Sequence, residues 1–259
     1  MIPHSPRLRG LSEVVLFGAL LLATLWGLGP NIQGNRMLLP VYWLLVSAGA
    51  ALILWLSPFV LHRDPAAIRG WALRSEQPRM DRGSISNAWP YYAGFTLVAG
   101  TLIILVGLWR NPAIFSLIPP MTFVIRLLGY SAFGPIQALI FFGFLHTRWR
   151  EIITQSGLAA QPGMHQSLVA LATAGCFSAV HYPNLPLMAF TLLAGLCWSR
   201  LFYWRPNILL LGLSHAMLGT LLHLFLRISM RIGPFYDAPG RYILRSVVPG
   251  LSQLIGHRF

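Results

Sequence analysis

Histidines in the second half of the chain have the spacing that best indicates chemistry. Phe177 and His181 are four residues apart, so both lie on one face of a helix. His215, Gly219 and His223 also recur every four residues and share a face of a later apolar run. Two histidines from separate helices can form an acid–base pair, a metal site or the axial ligands of a haem or chlorin. Alternatively, each histidine makes only an interhelical hydrogen bond, worth about 1 kcal/mol.

Acidic partners for these histidines are scarce. Of the six carboxylates in the chain, only Glu13 falls inside an apolar run. A metal site built from His181 and His215 lacks the third protein ligand of catalytic zinc. His223 lies about two turns from His215, too far to supply that ligand readily. We therefore predict no metal site.

The sequence around the two histidines resembles the CPBP family, membrane proteins related to CAAX-prenyl endopeptidases and bacteriocin-processing enzymes. The family motif Phe-x-x-x-His is present as Phe177 to His181. The motif His-x-x-x-Asn is half present, as His215 followed four residues later by Gly219. The resemblance covers about residues 130–226 and implies a CPBP-like core in the C-terminal half.

The first family motif, Glu-Glu-x-x-x-Arg, is where this chain departs from the pattern. Gln137 and Ala138 align with the two glutamates, and Phe142 aligns with the arginine. In the family, a glutamate is taken to activate a water for attack on a peptide carbonyl, and the histidines aid proton transfer and oxyanion stabilisation. Losing a general base costs on the order of 10²–10⁴ in rate. The resemblance thus implies a protease-like protein without its base.

The resemblance also assigns roles to individual residues. The positions aligned with the catalytic motifs are His181, His215 and Gln137. Residues on the same helix faces, expected to contribute to a binding cavity, are Phe142, Phe177, Gly219 and His223.

The elements that must position these residues are membrane helices. Apolar residues make up 56% of the 259 residues and charged residues 10%, and the mean hydropathy is +0.63. A soluble domain carries about 25% charged residues, and several runs here reach the roughly 20 residues that cross a bilayer. The composition excludes a disordered chain. It predicts an all-α polytopic membrane bundle of about seven or eight spans.

The formal net charge of +13 includes nineteen basic residues, all of them arginines. These arginines flank the apolar runs, as membrane anchors do, so we expect contact with membrane lipids and no nucleic-acid partner. Arg126 lies in the segment 113–128 and Arg200 lies near the end of a span, where each either snorkels or binds an anionic headgroup. Basic segments on both sides of the first two spans predict a cytoplasmic N-terminus. We expect the protein in the inner (cytoplasmic) membrane of a bacterium.

The domain prediction is an N-terminal pair of spans (1–61), a basic cytoplasmic loop (62–88), a membrane bundle (89–226) and a basic tail (227–259). Within the bundle, residues 113–128 contain two adjacent prolines and Arg126, which indicates an interfacial or re-entrant segment. A separate span is predicted over 131–146. His146 is then expected at the end of a helix, followed by a basic loop over 148–151.

Three functions remain open at this point. The first is a catalytically degenerate CPBP-like protein that holds a membrane protein, a lipidated peptide or a lipid-like group in its cavity. The second is an active endopeptidase of a divergent subgroup, in which His181 and His215 activate water and Gln137 orients it. The third is a membrane subunit that binds haem or a chlorin. The sequence favours the first and identifies neither a cofactor nor an oligomeric state.

Overall fold

The structure is a computed structural model that describes residues 6–32, 35–61, 82–157 and 161–233. Most of the predicted loop and the end of the predicted tail, residues 62–81 and 234–259, lie outside the described residues. The regular elements of the described residues are helices, which confirms the predicted all-α class. They are α1 (Leu8–Ile32), α2 (Leu39–Leu61), α3 (Ile85–Arg110), α4 (Pro120–Ser156), α5 (Pro162–Ala179), α6 (Leu185–Trp204) and α7 (Ile208–Phe225).

Six of these helices, all except α5, are long and apolar enough to cross a membrane. With eighteen residues, α5 is long enough but not sufficiently apolar over that length. The described residues therefore offer six apolar spans, where seven or eight were predicted. The predicted loop also ends earlier than expected, because α3 begins at Ile85.

The long helix α4 overturns the predicted division between residues 113–128 and 131–146. It runs without a break for 37 residues. Pro120 occupies the first turn, where a missing N–H costs no helical hydrogen bond. Pro135 lies inside the helix, and the turns that follow it, Leu139–Leu145, widen to the π-helical pattern. The prediction treated the adjacent prolines Pro119 and Pro120 as an interruption, whereas they mark the start of this helix.

The predicted basic loop over 148–151 is also wrong, because these residues lie in the C-terminal turns of α4. Arg148 is buried, and its Nε lies 3.1 Å from Glu13 Oε2 of α1. Ser57 of α2 accepts from Arg148 Nη2 at 2.9 Å and donates to Glu13 Oε2 at 2.6 Å. Glu151 Oε2 lies 3.0 Å from Arg148 Nη1. These four residues, named here the ion cluster, tie the N-terminal helices to the bundle.

The backbones of α4 and α7 approach closely at two facing glycines. A Cβ atom on Gly134 would lie 2.3 Å from the carbonyl oxygen of Gly212, and one on Gly212 would lie 2.6 Å from Pro135 Cα. Small residues let membrane helices pack at this distance. The contact holds Gln137 of α4 near His215 of α7.

Gly212→Ala is expected to lower the free energy of unfolding by about 1–3 kcal/mol, because the added methyl overlaps backbone that has little freedom to move. Unfolding of the purified protein in mixed micelles measures the change. Gly129→Ala is the matched control in α4, because nothing lies within 4 Å of a Cβ at that position. It should be neutral or slightly stabilising, since alanine favours helix. An equal loss in both variants would contradict the close approach.

The first residues of the predicted tail fold back on the turn between α5 and α6. Asn184 Nδ2 donates to the Ser229 carbonyl at 2.8 Å, and both residues are buried. The Gly233 N–H donates to the Val180 carbonyl at 2.9 Å. This part of the tail thereby covers the turn that contains His181.

Candidate functional site

His181 and His215 both pack against the ring of Phe177. His181 lies in the turn after α5, with its ring centroid 5.6 Å from that of Phe177. His215 lies on α7, with its centroid 5.5 Å from the same ring. His181 Nδ1 faces the Arg231 carbonyl at 3.4 Å, and the backbone of Gly134 faces the His215 ring. The fold thus brings together the two histidines that the sequence motifs contain.

A small cavity of about 20 Å³ is lined by both histidines and by Gln137 of α4. This volume is enough for one water molecule. Two side-chain atoms of these residues, Gln137 Oε1 and His181 Nε2, are buried with no hydrogen-bond partner among the described residues. Buried polar atoms normally have partners, so a water in this cavity would satisfy them. The cavity is too small for a macrocycle, and a haem or chlorin between the histidines would need the helices to separate.

Apolar packing surrounds two of the three positions that align with the first family motif, those of the second glutamate and of the arginine. Ala138 and Phe142 are each only 1% exposed. The Phe142 ring lies 5.9 Å from Phe177 and 6.3 Å from both Trp198 and Phe202, measured between centroids. A single carboxylate or guanidinium introduced alone at one of these two positions would lose its hydration among apolar neighbours. This face of α4 therefore serves as a packing surface.

An apolar groove runs beside His215, with α3 and α6 as its walls and α7 as its floor. Its volume is about 260 Å³. The helices α3 and α6 pack mainly on α7 and α5, and hardly on each other, which leaves the groove between them. The lining residues include Phe95, Ala99, Val106, Ala194, Leu218 and Leu222. The α3 wall from Phe95 to Val106 is about 16 Å long.

Comparison with known proteins identifies the segment that contains this site. Residues 120–221 match the family model described as type II CAAX prenyl endopeptidase Rce1-like. This segment, named here the Rce1-like segment, is similar to that family. The match confirms the resemblance to CAAX-prenyl endopeptidases for the part of the chain that carries Gln137, His181 and His215. No curated protein and no solved structure shows significant similarity to the chain.

The residues predicted to contribute to a binding cavity occupy different places around the Rce1-like segment. Gly219 lines the groove, whereas the rings of Phe142 and Phe177 pack in the core and line neither the groove nor the small cavity. His223 Nδ1 faces the Ile228 carbonyl at 3.2 Å, apart from the other two histidines. Within the described residues, no group of three His, Cys, Asp or Glu side chains is placed to hold a metal ion.

His146 departs from its predicted position at a helix end. It lies within α4 and is 2% exposed. Its ring packs edge-on against that of Phe202, with 5.3 Å between the ring centroids. The prediction placed the membrane interface at this residue because arginines follow it. Since Arg148 is buried in the ion cluster, the Rce1-like segment continues past His146 as a packed helix.

The ion cluster is the feature that sequence reasoning missed. It connects the Rce1-like segment to α1 and α2, which lie outside the family match. The available signal was Glu13, because a carboxylate within an apolar run requires a partner. The sequence does not indicate that Arg148 is that partner.

Proposed function

We propose that this chain is a catalytically degenerate Rce1-like membrane protein that binds a lipid chain or lipid-modified group and does not cleave peptides. The observation that carries the proposal is the packing of Ala138 and Phe142 into an aromatic core, where the family motif has glutamate and arginine. Without a carboxylate at this position, the site lacks the family's base for activating water. In the described residues, the carboxylates of Glu13 and Glu151 both contact Arg148 instead.

The apolar groove supports the binding part of the proposal. Its volume of about 260 Å³ lies just below the range of ligand pockets, about 300–1,000 Å³, and suits a single chain better than a bulky ligand. It reaches His215 of the Rce1-like segment. A chain already dissolved in the bilayer could enter between α3 and α6 without passing through water.

The absence of peptidase activity is tested by mapping the terminal peptides of all membrane proteins by mass spectrometry. Three strains are compared: wild type, a deletion, and the deletion complemented with the variant His181→Ala/His215→Ala. We expect the same set of protein termini in all three, because no substrate is processed.

The complementing variant must reach wild-type abundance, and His165→Ala provides a matched histidine control. His165 binds Tyr203 and Thr154, away from the His181–His215 pair. The proposal would be overturned by an uncut precursor that accumulates in the deletion and that His165→Ala clears but the double variant does not.

The small cavity favours a second function, an endopeptidase in which His181 and His215 activate a water that Gln137 orients. Its support is the pair of unpartnered buried atoms, Gln137 Oε1 and His181 Nε2, beside a volume that fits one water. If a precursor is found, Gln137→Leu should slow its cleavage by the purified protein at least about 10²-fold, whereas Gln137→Glu should not. Unchanged cleavage by Gln137→Leu would exclude this role for Gln137.

A further inference from the structure

A second, larger cavity adjoins the groove near the start of α3 and the end of α6. Its volume is about 610 Å³, and it shares Phe95 and Cys197 with the lining of the groove. Its polar lining consists of Arg82, Arg200, Arg205 and Tyr91. This space, named here the arginine cavity, makes the groove part of a longer site with one apolar and one cationic compartment.

The three arginines converge from two helix ends. Arg82 precedes α3 and Arg205 follows α6, at the level where spans meet the headgroup layer. Arg205 is held in place, because its Cζ lies 4.6 Å from the centroid of the Tyr91 ring and its Nη2 donates to the Tyr91 hydroxyl at 3.2 Å. Anchoring at the membrane interface explains why these arginines lie at or near helix ends. It does not explain why three of them line one cavity.

The positive charge of the arginine cavity has no carboxylate partner among the described residues. The carboxylates there are Glu13 and Glu151, and both contact Arg148 in the ion cluster. Three guanidinium groups around one cavity repel each other, and the repulsion falls when an anion enters. Arginine is also the side chain best matched to phosphate, because its planar group donates two parallel hydrogen bonds.

We propose that the groove and the arginine cavity together bind a lipid phosphate, with its chain in the groove and its phosphate between Arg82, Arg200 and Arg205. The inference rests on the proposed function, because it specifies the lipid that the groove holds. A phosphate monoester carries about −1.5 to −2 charges and three acceptor oxygens. Such a headgroup therefore matches three arginines better than a ligand with a single carboxylate would. The order of the two compartments also fits a lipid, since its phosphate would lie at the helix ends and its chain would extend along the groove towards His215.

The test measures binding of dodecyl phosphate to the full-length protein in nanodiscs of uncharged phosphatidylcholine. Cys197 serves as a reporter, because it is exposed and lines both compartments. A bound chain should shield it from alkylation by a maleimide, in a Cys176→Ala background that removes the other cysteine. Dodecanol, inorganic phosphate and a farnesylated peptide without phosphate are the comparison probes.

We expect dodecyl phosphate to protect Cys197 at a concentration at least tenfold below that needed for any comparison probe. Arg200→Gln/Arg205→Gln should weaken this protection at least tenfold, because it removes two charged donors to phosphate. Arg126→Gln is the matched control, since Arg126 lines a separate surface pocket with Tyr130 and Phe133, and should change binding less than twofold. Ala194→Phe narrows the groove and should therefore weaken the protection of Cys197 by dodecyl phosphate and by dodecanol to the same extent.

Each alternative result overturns a defined part of the argument. Equal protection by dodecyl phosphate and dodecanol, unaffected by Arg200→Gln/Arg205→Gln, would overturn the phosphate inference and leave the proposed function standing. Stronger protection by the farnesylated peptide than by dodecyl phosphate would also overturn the phosphate inference, and it would identify a lipidated peptide as the occupant. Equal protection by inorganic phosphate would show that the chain contributes nothing. No protection by any probe, in protein that elutes and unfolds like the wild type, would overturn the lipid-binding function itself.

Discussion

Arg148→Ala is expected to lower the free energy of unfolding by about 3–5 kcal/mol. The guanidinium lies 3.1 Å from Glu13 Oε2 and 3.0 Å from Glu151 Oε2. Arg148 is 4% exposed and Glu13 is 3% exposed, so water screens their interaction poorly. The alanine variant takes this charge away from a buried carboxylate, which the surroundings then solvate less well. Reversible unfolding in mixed micelles of mild and denaturing detergent measures the loss.

A double-mutant cycle separates the lost charge pair from lost packing. Glu13→Gln/Arg148→Met removes both charges and should be less destabilised than Arg148→Met alone, because no buried charge loses its partner. Arg148→Lys should fall between wild type and Arg148→Ala, since lysine keeps the charge but cannot reproduce the two donors to Ser57 at 3.2 and 2.9 Å.

Arg150→Ala is the matched control two residues along the same helix. Arg150 is exposed and stacks over the ring of Tyr203, with its Cζ 4.5 Å from the ring centroid. Exposed contacts of this kind are worth about 0.5–1 kcal/mol. If Arg148→Ala cost no more than Arg150→Ala, or if the losses of Glu13→Gln and Arg148→Met simply added, the ion cluster would not stabilise the fold as argued.

The ion cluster also shows where inference from the sequence stopped. Periodicity and hydropathy describe one helix at a time, and they correctly predicted most of the apolar spans. The cluster joins residues 44 and 91 positions apart, Ser57 to Glu13 and Ser57 to Arg148. Nothing in the local pattern specifies which helices pack together. An arginine that follows an apolar run therefore looked like an interfacial anchor, although the fold buries it.

The proximity of the two motif histidines could be predicted from the sequence, whereas the groove, which packing between helices creates, could not. The motif residues His181 and His215 lie on different elements and meet at the ring of Phe177. The groove arises because α3 and α6 hardly touch each other, a property of the assembled bundle that no single segment encodes. The unbroken course of α4 was likewise hidden, because two adjacent prolines and Arg126 resembled an interruption, although the prolines only mark the start of the helix.

Phe177→Ala is expected to cost about 3–5 kcal/mol of unfolding free energy, the range for deleting a fully buried aromatic ring. Phe177 is 1% exposed, and its centroid lies 5.1 Å from that of Phe141 and 6.1 Å from that of Trp198, besides its contacts to both histidines. Lipid cannot fill the space that the ring leaves inside the bundle, so the lost packing is not recovered. Unfolding in mixed micelles again measures the change.

The control for this position lies on the same helix. Leu171 of α5 is 57% exposed, and Leu171→Ala should change the free energy of unfolding by no more than about 0.5 kcal/mol. Phe177→Leu should cost less than Phe177→Ala, because leucine leaves a smaller cavity. Because Phe177 lines neither the groove nor the small cavity, Phe177→Leu should bind a lipid chain with nearly wild-type affinity once folded. A large loss of binding in stable Phe177→Leu protein would instead place this ring in contact with the ligand and move the site from the α3–α6 groove towards the two histidines.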